Sequence, residues 1–324
     1  DPELCKKVIK DELIEVKDKY GDPRRTEIVY SSEEFNPEDF YANDPVVITI
    51  SHLGYIKRTP LAEFKEQGRG GVGSKGAHTR DQDFTEYIYP ATMHNTMLFF
   101  TQKGRCYWLK VYEIPEGAKN SKGRAIQNML NIEPDDNVNA FLRIKKFNDP
   151  EFLKSHYIMF CTKNGVIKKT CLEEYSRPRT NGVIAINILE GDKVIAVRLT
   201  NGHNEILLAN RNGRAVRFDE NQVRCMGRVS TGVRGMTLDG GDDEVVGMVC
   251  VNDRETETIM VVSENGYGKR SEVDDYRKTS RGVKGVKTLN ITDKTGLLVA
   301  IKVVTDENDL MIINKSGILI RLKV

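Results

Sequence analysis

Tryptophan occurs once in this chain, at Trp108, and aromatic residues make up only 7% of its 324 positions. Surfaces built to hold protein partners concentrate aromatic anchors, so a scaffold for other proteins is disfavoured. Long apolar runs are also missing. None approaches the roughly 18 residues that a membrane-spanning helix needs, and no signal-peptide pattern opens the sequence. The six cysteines (Cys5, Cys106, Cys161, Cys171, Cys225 and Cys250) never fall at C-x-x-C spacing and sit mostly inside apolar runs. That points to free thiols in a reducing cytoplasm rather than to disulfides or a zinc site. The five histidines are scattered, and no His/Asp/Glu constellation marks a metal centre or a catalytic site within the chain.

What is abundant is charge, at 30% of residues, and it is unevenly placed. Residues 1–44 carry a net charge of −6, whereas 45–324 carry +8. A basic body invites a polyanion. The leader opens with Asp1-Pro2-Glu3, a helix start of capping Asp, Pro in the first turn and an early acid. Leu4, Val8, Leu13, Val16 and Tyr20 follow at roughly helical spacing before Gly21 and Pro23 end the helix. The acidic stretch after it reads as a tether. The expected division is therefore a helix and linker over 1–44 and a separate domain over 45–324, with the leader belonging to a preceding domain or a partner.

The body repeats itself. An apolar run leads into a turn ending in Gly, and cations follow within a few residues. The turn glycines are Gly54, Gly104, Gly165, Gly213, Gly266 and Gly317, spaced by 50, 61, 48, 53 and 51 residues. The cations are Lys57 and Arg58, Arg105 and Lys110, Lys168 and Lys169, Arg214 and Arg217, Lys269 and Arg270, and Arg321. In the first five units a second, small basic Gly segment comes 16 to 19 residues after the turn. It carries Arg69-Gly70-Gly71, then Lys122 and Arg124, then Arg177 and Arg179 ahead of Gly182, then Arg228 and Arg234, and lastly Arg281 and Lys284. Units of four short strands with almost no helical period predict an all-β array of propeller blades, six in number. Asp149-Pro150-Glu151 predicts one short inserted helix over 149–156. The sixth unit holds only two strands before Val324, which leaves its blade incomplete.

Alternation on the second strand of each unit predicts Val or Ile inside and the cation outside. Taken singly, each cation is as readily a solubilising surface charge. Their recurrence at one point of the repeat predicts a positive rim suited to duplex DNA, which can bend at a cost of roughly 1–6 kcal/mol per 20–30 bp. On the order of ten phosphate contacts would give a salt slope near −9. With no recognition helix or zinc finger, binding should be largely indifferent to sequence.

The densest glycine stretch is Gln67-Gly68-Arg69-Gly70-Gly71-Val72-Gly73-Ser74-Lys75-Gly76. It traces dinucleotide-like fingerprints, but no apolar helix follows and no βαβ unit surrounds it. The Walker order is also wrong, because Ser74 precedes Lys75. The stretch resembles the Q-R-R-G-G-K-G box of the C-terminal domain of the DNA gyrase A protein, with Gly68 in place of Arg and Val72 in place of Lys. Lys75 and Arg80 are the nearby cations that would restore charge. Later segments such as Ser280-Arg281-Gly282-Val283-Lys284-Gly285 resemble that domain's other blades, and the leader is similar to the end of the coiled-coil arm preceding it.

The resemblance implies a six-bladed β-pinwheel whose blades exchange strands. It implies DNA-binding roles for Gln67, Arg69, Gly70, Gly71, Gly73, Lys75 and Arg80, which anchor a wrap of duplex DNA that serves negative supercoiling. It also implies assembly with the rest of a dimeric gyrase A protein and with gyrase B in an A2B2 enzyme, in the bacterial cytoplasm at the nucleoid, the domain itself being monomeric. ATP and Mg2+ would act elsewhere in that enzyme, so no cofactor, metal or catalytic residue is expected here. The alternatives are the corresponding domain of topoisomerase IV and a propeller scaffold.

Overall fold

In the computed structural model, the described residues are 1–26, 37–64, 74–75, 83–118, 120–145, 147–313 and 318–324. They divide into two compact units, Asp1–Phe40 and Tyr41–Val324. The first holds α1 (Pro2–Tyr20), whose Asp1 carboxylate accepts the Glu3 N–H and whose end is tied by Gly21 N–H to Lys17 O. Its apolar residues, among them Leu4, Val8, Leu13 and Tyr20, are all exposed. Among the described residues no helix is long and apolar enough to cross a membrane.

The second unit is built from strands in sets of four. The first repeat contributes β1 (Pro45–Ser51), β2 (Tyr55–Pro60), β3 (Ser74–Lys75) and β4 (Thr85–Thr92). The second contributes β5 (Thr96–Thr101), β6 (Arg105–Lys110), β7 (Arg124–Ala125) and β8 (Val138–Ile144), followed by the inserted helix α2 (Pro150–Ser155) capped by Asp149. The third repeat gives β9 (Tyr157–Thr162), β10 (Val166–Cys171), β11 (Val183–Ile184) and β12 (Val194–Thr200). From the fourth come β13 (Glu205–Asn210), β14 (Arg214–Asp219), β15 (Val233–Arg234) and β16 (Val245–Val251). The fifth supplies β17 (Thr258–Ser263), β18 (Gly268–Glu272), β19 (Val286–Lys287) and β20 (Leu298–Val304), and the sixth β21 (Asp309–Ile313) and β22 (Ile318–Lys323).

The sheets do not follow the repeats. Among the described residues four are four-stranded, in the orders β4-β1-β2-β7, β11-β6-β5-β8, β12-β9-β10-β15 and β16-β13-β14-β19, and two are three-stranded, β18-β17-β20 and β21-β22-β3. In each four-stranded sheet the outer two-residue strand comes from the following repeat. The first repeat's own short strand, β3, pairs with β22, Ile318 opposite Lys75 and Leu319 opposite Ser74. The first five repeats are thus tied in series, and the first to the sixth, by main-chain hydrogen bonds as well as by side chains.

The apolar runs pack on both faces. Phe99 joins Ile48, Ile56 and Tyr107 in one core, while its neighbour Phe100 joins Ile158, Phe160 and Tyr175 in the next. Likewise Leu207 and Leu208 point into different cores. Because consecutive strand residues face opposite sides, a first strand squeezed between two sheets must be apolar at every position. That is why these strands read as runs rather than as alternations. Each fully buried Phe or Leu contributes about 1.5–3 kcal/mol. The five described hairpin turns each end in a glycine at φ between +75° and +84°, a conformation costly for any residue with a Cβ.

Candidate nucleic-acid interface

The second strands carry the recurring cations, and the structure corrects where these point. Lys57, Lys168, Lys169 and Arg217 are buried, Lys168 completely and Arg217 to 3% exposure. Strand alternation assigns a side chain to a face but not what covers that face, and here the loops of the next repeat cover it. Lys57 Nζ donates to the carbonyls of Ala118 (3.0 Å) and Ser121 (2.8 Å). Lys168 Nζ donates to Ala185 O at 2.6 Å and Arg228 O at 2.5 Å. Both residues stand three positions after their turn glycine and hold the loop that leads into the exchanged strand.

One position later a second device recurs. Arg58 Nε donates to Ile114 O at 2.7 Å, and Arg217 Nη1 donates to the carbonyls of Val273 and Tyr276 at 2.8 and 2.9 Å. Lys169 pairs with Glu220 at 2.9 Å, where both side chains are buried. In the second repeat Trp108 takes the place of the cation, and its Nε1 donates to Tyr175 O at 3.1 Å. Every one of these partners lies in or beside the 3-10 turn of the following repeat. The periodic charge at Lys57, Arg58, Lys168, Lys169 and Arg217 is therefore a set of five fasteners between repeats.

Desolvation has consequences for titration. Burial lowers Lys168 to about 7, with the nearby Arg228 charge adding to it, and lowers Lys57 to about 8. Arg217 meets Glu205 at 2.6 Å, and Lys278 reaches the other Glu205 oxygen at 3.0 Å. These cations hold the Glu205 carboxyl below its usual range against the opposing effect of burial, the largest single influence on it.

The exposed cations lie elsewhere. Lys122, Arg124, Arg177, Arg179, Arg234, Lys269 and Lys284 are exposed, and Arg58, Arg105, Lys110, Arg214, Arg228 and Arg281 are partly so. About a third of the Arg270 side chain is exposed, and it is paired with Asp306. Arg105 and Arg281 spend guanidinium bonds on the carbonyls of Asn181 and Arg234. Gln67, Arg69, Gly70, Gly71, Gly73 and Arg80 lie outside the described residues, while Lys75 and Arg321 are described as backbone only, in β3 and β22.

The exchanged strands bring a subset together by register. In each ladder the residue opposite the first position after the turn glycine is equivalent: Ala125, Ile184, Arg234, Lys287 and Lys75. Three of the five are basic, and Arg124 stands one position before Ala125. Lys287, which is exposed, was not singled out from sequence. Its signal was available, because Lys75, Arg234 and Lys287 each follow a glycine by two residues (Gly73, Gly232 and Gly285). Glu205, Glu220 and Asp239, the acids that partner the cations, gave no sequence signal, since their cations come from other strands. Among the described residues no three His, Cys, Asp or Glu side chains gather as a metal site would require.

A family model described as the DNA gyrase C-terminal domain, a beta-propeller, matches residues 45–91, 95–145, 156–201, 204–252 and 257–305. The chain belongs to this DNA gyrase C-terminal domain family. The five matched segments are the first five repeats; β21 and β22 lie beyond them. The chain is 42% identical over its full length to the gyrase A proteins of Staphylococcus aureus strains MRSA252 and NCTC 8325, and it spans about a third (36%) of those relatives. A solved DNA gyrase A C-terminal domain superposes with TM-score 0.73 at 24% identity, covering 86% of this chain and 89% of that one. The C-terminal domain of a DNA topoisomerase IV superposes with TM-score 0.65 at 27% identity, covering 87% and 84%. In keeping with that family description, the strands of Tyr41–Val324 form a propeller-like β arrangement, and α1 precedes them in sequence.

Proposed function

We propose that this chain is the DNA-wrapping part of a gyrase A protein. In this reading its six sheets are blades of a β-pinwheel closed by β3 on β22, and duplex DNA bends around the edge that carries the exchanged strands. The observation that carries the reading is the common register of Lys75, Arg234 and Lys287, with Arg124 beside it, on strands that each join one sheet to the next. Cations set by that symmetry form a track for phosphates, and their contacts are to backbone rather than bases. The box residues Gln67, Arg69, Gly70, Gly71 and Gly73 lead directly into β3 in sequence, so they would meet DNA where the wrap begins. In the assembled A2B2 enzyme of the bacterial cytoplasm, ATP and Mg2+ would act on other parts, with this domain presenting the wrapped segment for passage and the leader continuing the coiled-coil arm. Identity to gyrase A over the full chain disfavours the topoisomerase IV alternative.

The test is the topology trapped by the chain on relaxed circular DNA. Positive writhe should be trapped, and replacing Arg69, Gly70 and Gly71 with alanine should abolish it while leaving the thermal melt unchanged. A triple variant that still traps the wrap would remove the box from the proposal, and a wild-type chain that traps none would remove the proposal.

A further inference from the structure

On the fourth sheet, β14 and β19 set Arg214 directly opposite Lys287. Opposed residues of an antiparallel pair project to the same face, and like charges in that position repel. Such a pair is held only where something negative offsets it. The offset is close at hand. Asp239 sends one carboxylate oxygen to Lys284 Nζ at 2.8 Å and the other towards Arg214 Nε at 3.4 Å. Its side chain is 30% exposed, less than that of either partner. The Asp239 backbone N–H is fixed by the Asp243 carboxylate at 3.0 Å, so the group is positioned rather than free. Among the described residues Lys287 bonds to the neutral Asn290 amide oxygen at 3.2 Å and to no carboxylate. The hydrogen bond from Lys284 holds the Asp239 carboxyl below its usual range, as a resident counter-anion requires.

We propose that Arg214, Lys284 and Lys287 form a phosphate-binding subsite whose resting anion is Asp239, so that this carboxylate competes with a DNA phosphate for the same cations. The inference rests on the DNA-binding reading above and adds a restraint to it: the subsite is self-neutralised when empty and must exchange an internal anion for an external one. Among the described residues no acid is paired with Arg234, whose ladder partner is the neutral Val166. The fourth sheet's subsite would therefore fill after its neighbour's, which gives the edge an order of engagement.

The test is binding of the 324-residue chain to a labelled mixed-sequence duplex across a range of salt concentrations. Asp239→Asn should tighten binding about fivefold at low salt, the scale expected from two exposed pairs. That gain should disappear in a chain also carrying R214A and K284A, because the carboxylate then has nothing to mask. Should Asp239→Asn fail to fold, the single variants decide: Lys287→Met should weaken binding more than Lys284→Met, whose charge is already neutralised. An unchanged or weaker affinity for Asp239→Asn, or the reverse order of the two lysine variants, overturns the subsite if the wild type keeps its salt dependence. A wild type whose binding ignores salt overturns the DNA reading itself, and the subsite with it.

Discussion

Lys168 shows how a surface-looking sequence can describe an interior. Its amine is fully buried, bonded to two carbonyls and 5.6 Å from the Phe160 ring centre. Its pKa falls on folding from 10.5 to about 7, so between those values the unfolded chain binds more protons than the folded one. Stability therefore rises with pH across that window, by up to about 1.4 kcal/mol per unit, and the contribution is complete once pH exceeds the unfolded value. Chemical denaturation of wild type and Lys168→Met at pH 7 and pH 9 should show a gain that the variant lacks. Buried charge pairs respond differently. Glu220→Ala leaves the Lys169 ammonium unpaired and should cost about 3–5 kcal/mol, read as a lowered denaturation midpoint. From sequence, the spacing of these cations was plain and their direction was not. Val166-Ile167-Lys168-Lys169 ends in two adjacent cations as a solvent-facing strand would, and nothing in it announces that the following repeat lies across both faces.

At the scale of the element, hairpins and helices were legible because each has a local cause. Asp149-Pro150 starts α2, the turn glycines set the hairpins, and the apolar runs mark first strands buried on two faces. The exchanged strands were not legible, since two residues have no period. Their trace is the glycine that precedes them, and its role is close approach as well as conformation. A Cβ on Gly285, at φ +79°, would stand 2.2 Å from Ala215 O, the backbone to which β19 pairs. Gly191, at φ +76°, has no atom within 4 Å of the same position. Gly285→Ala should then lose about 2–4 kcal/mol and Gly191→Ala only about 1 kcal/mol. Thermal melts of the two variants separate strain in the turn from obstruction of strand exchange. Equal losses would mean that exchange tolerates a wider gap than the ladder implies.

Charge on the scale of the molecule divides into cations that hold repeats together and cations that face solvent, and only the second kind can release counterions from DNA. Among the described residues the exposed candidates are Lys122, Arg124, Arg177, Arg179, Arg234, Lys269, Arg270, Lys284 and Lys287. At about 0.9 per phosphate they support a log–log salt slope of roughly −8, shallower than the value reached when every repeating cation is placed on the rim. The division is testable by pairing two sets of substitutions. Changing Arg124, Arg234 and Lys287 together to alanine should leave the melt in place and reduce the slope by about 2.7. Changing Lys57 and Lys168 together to methionine should shift the melt and, in the folded fraction, leave the slope where it was. If the buried pair altered the slope and the exposed trio did not, the proposed DNA path would have to run over a different surface from the exchanged strands.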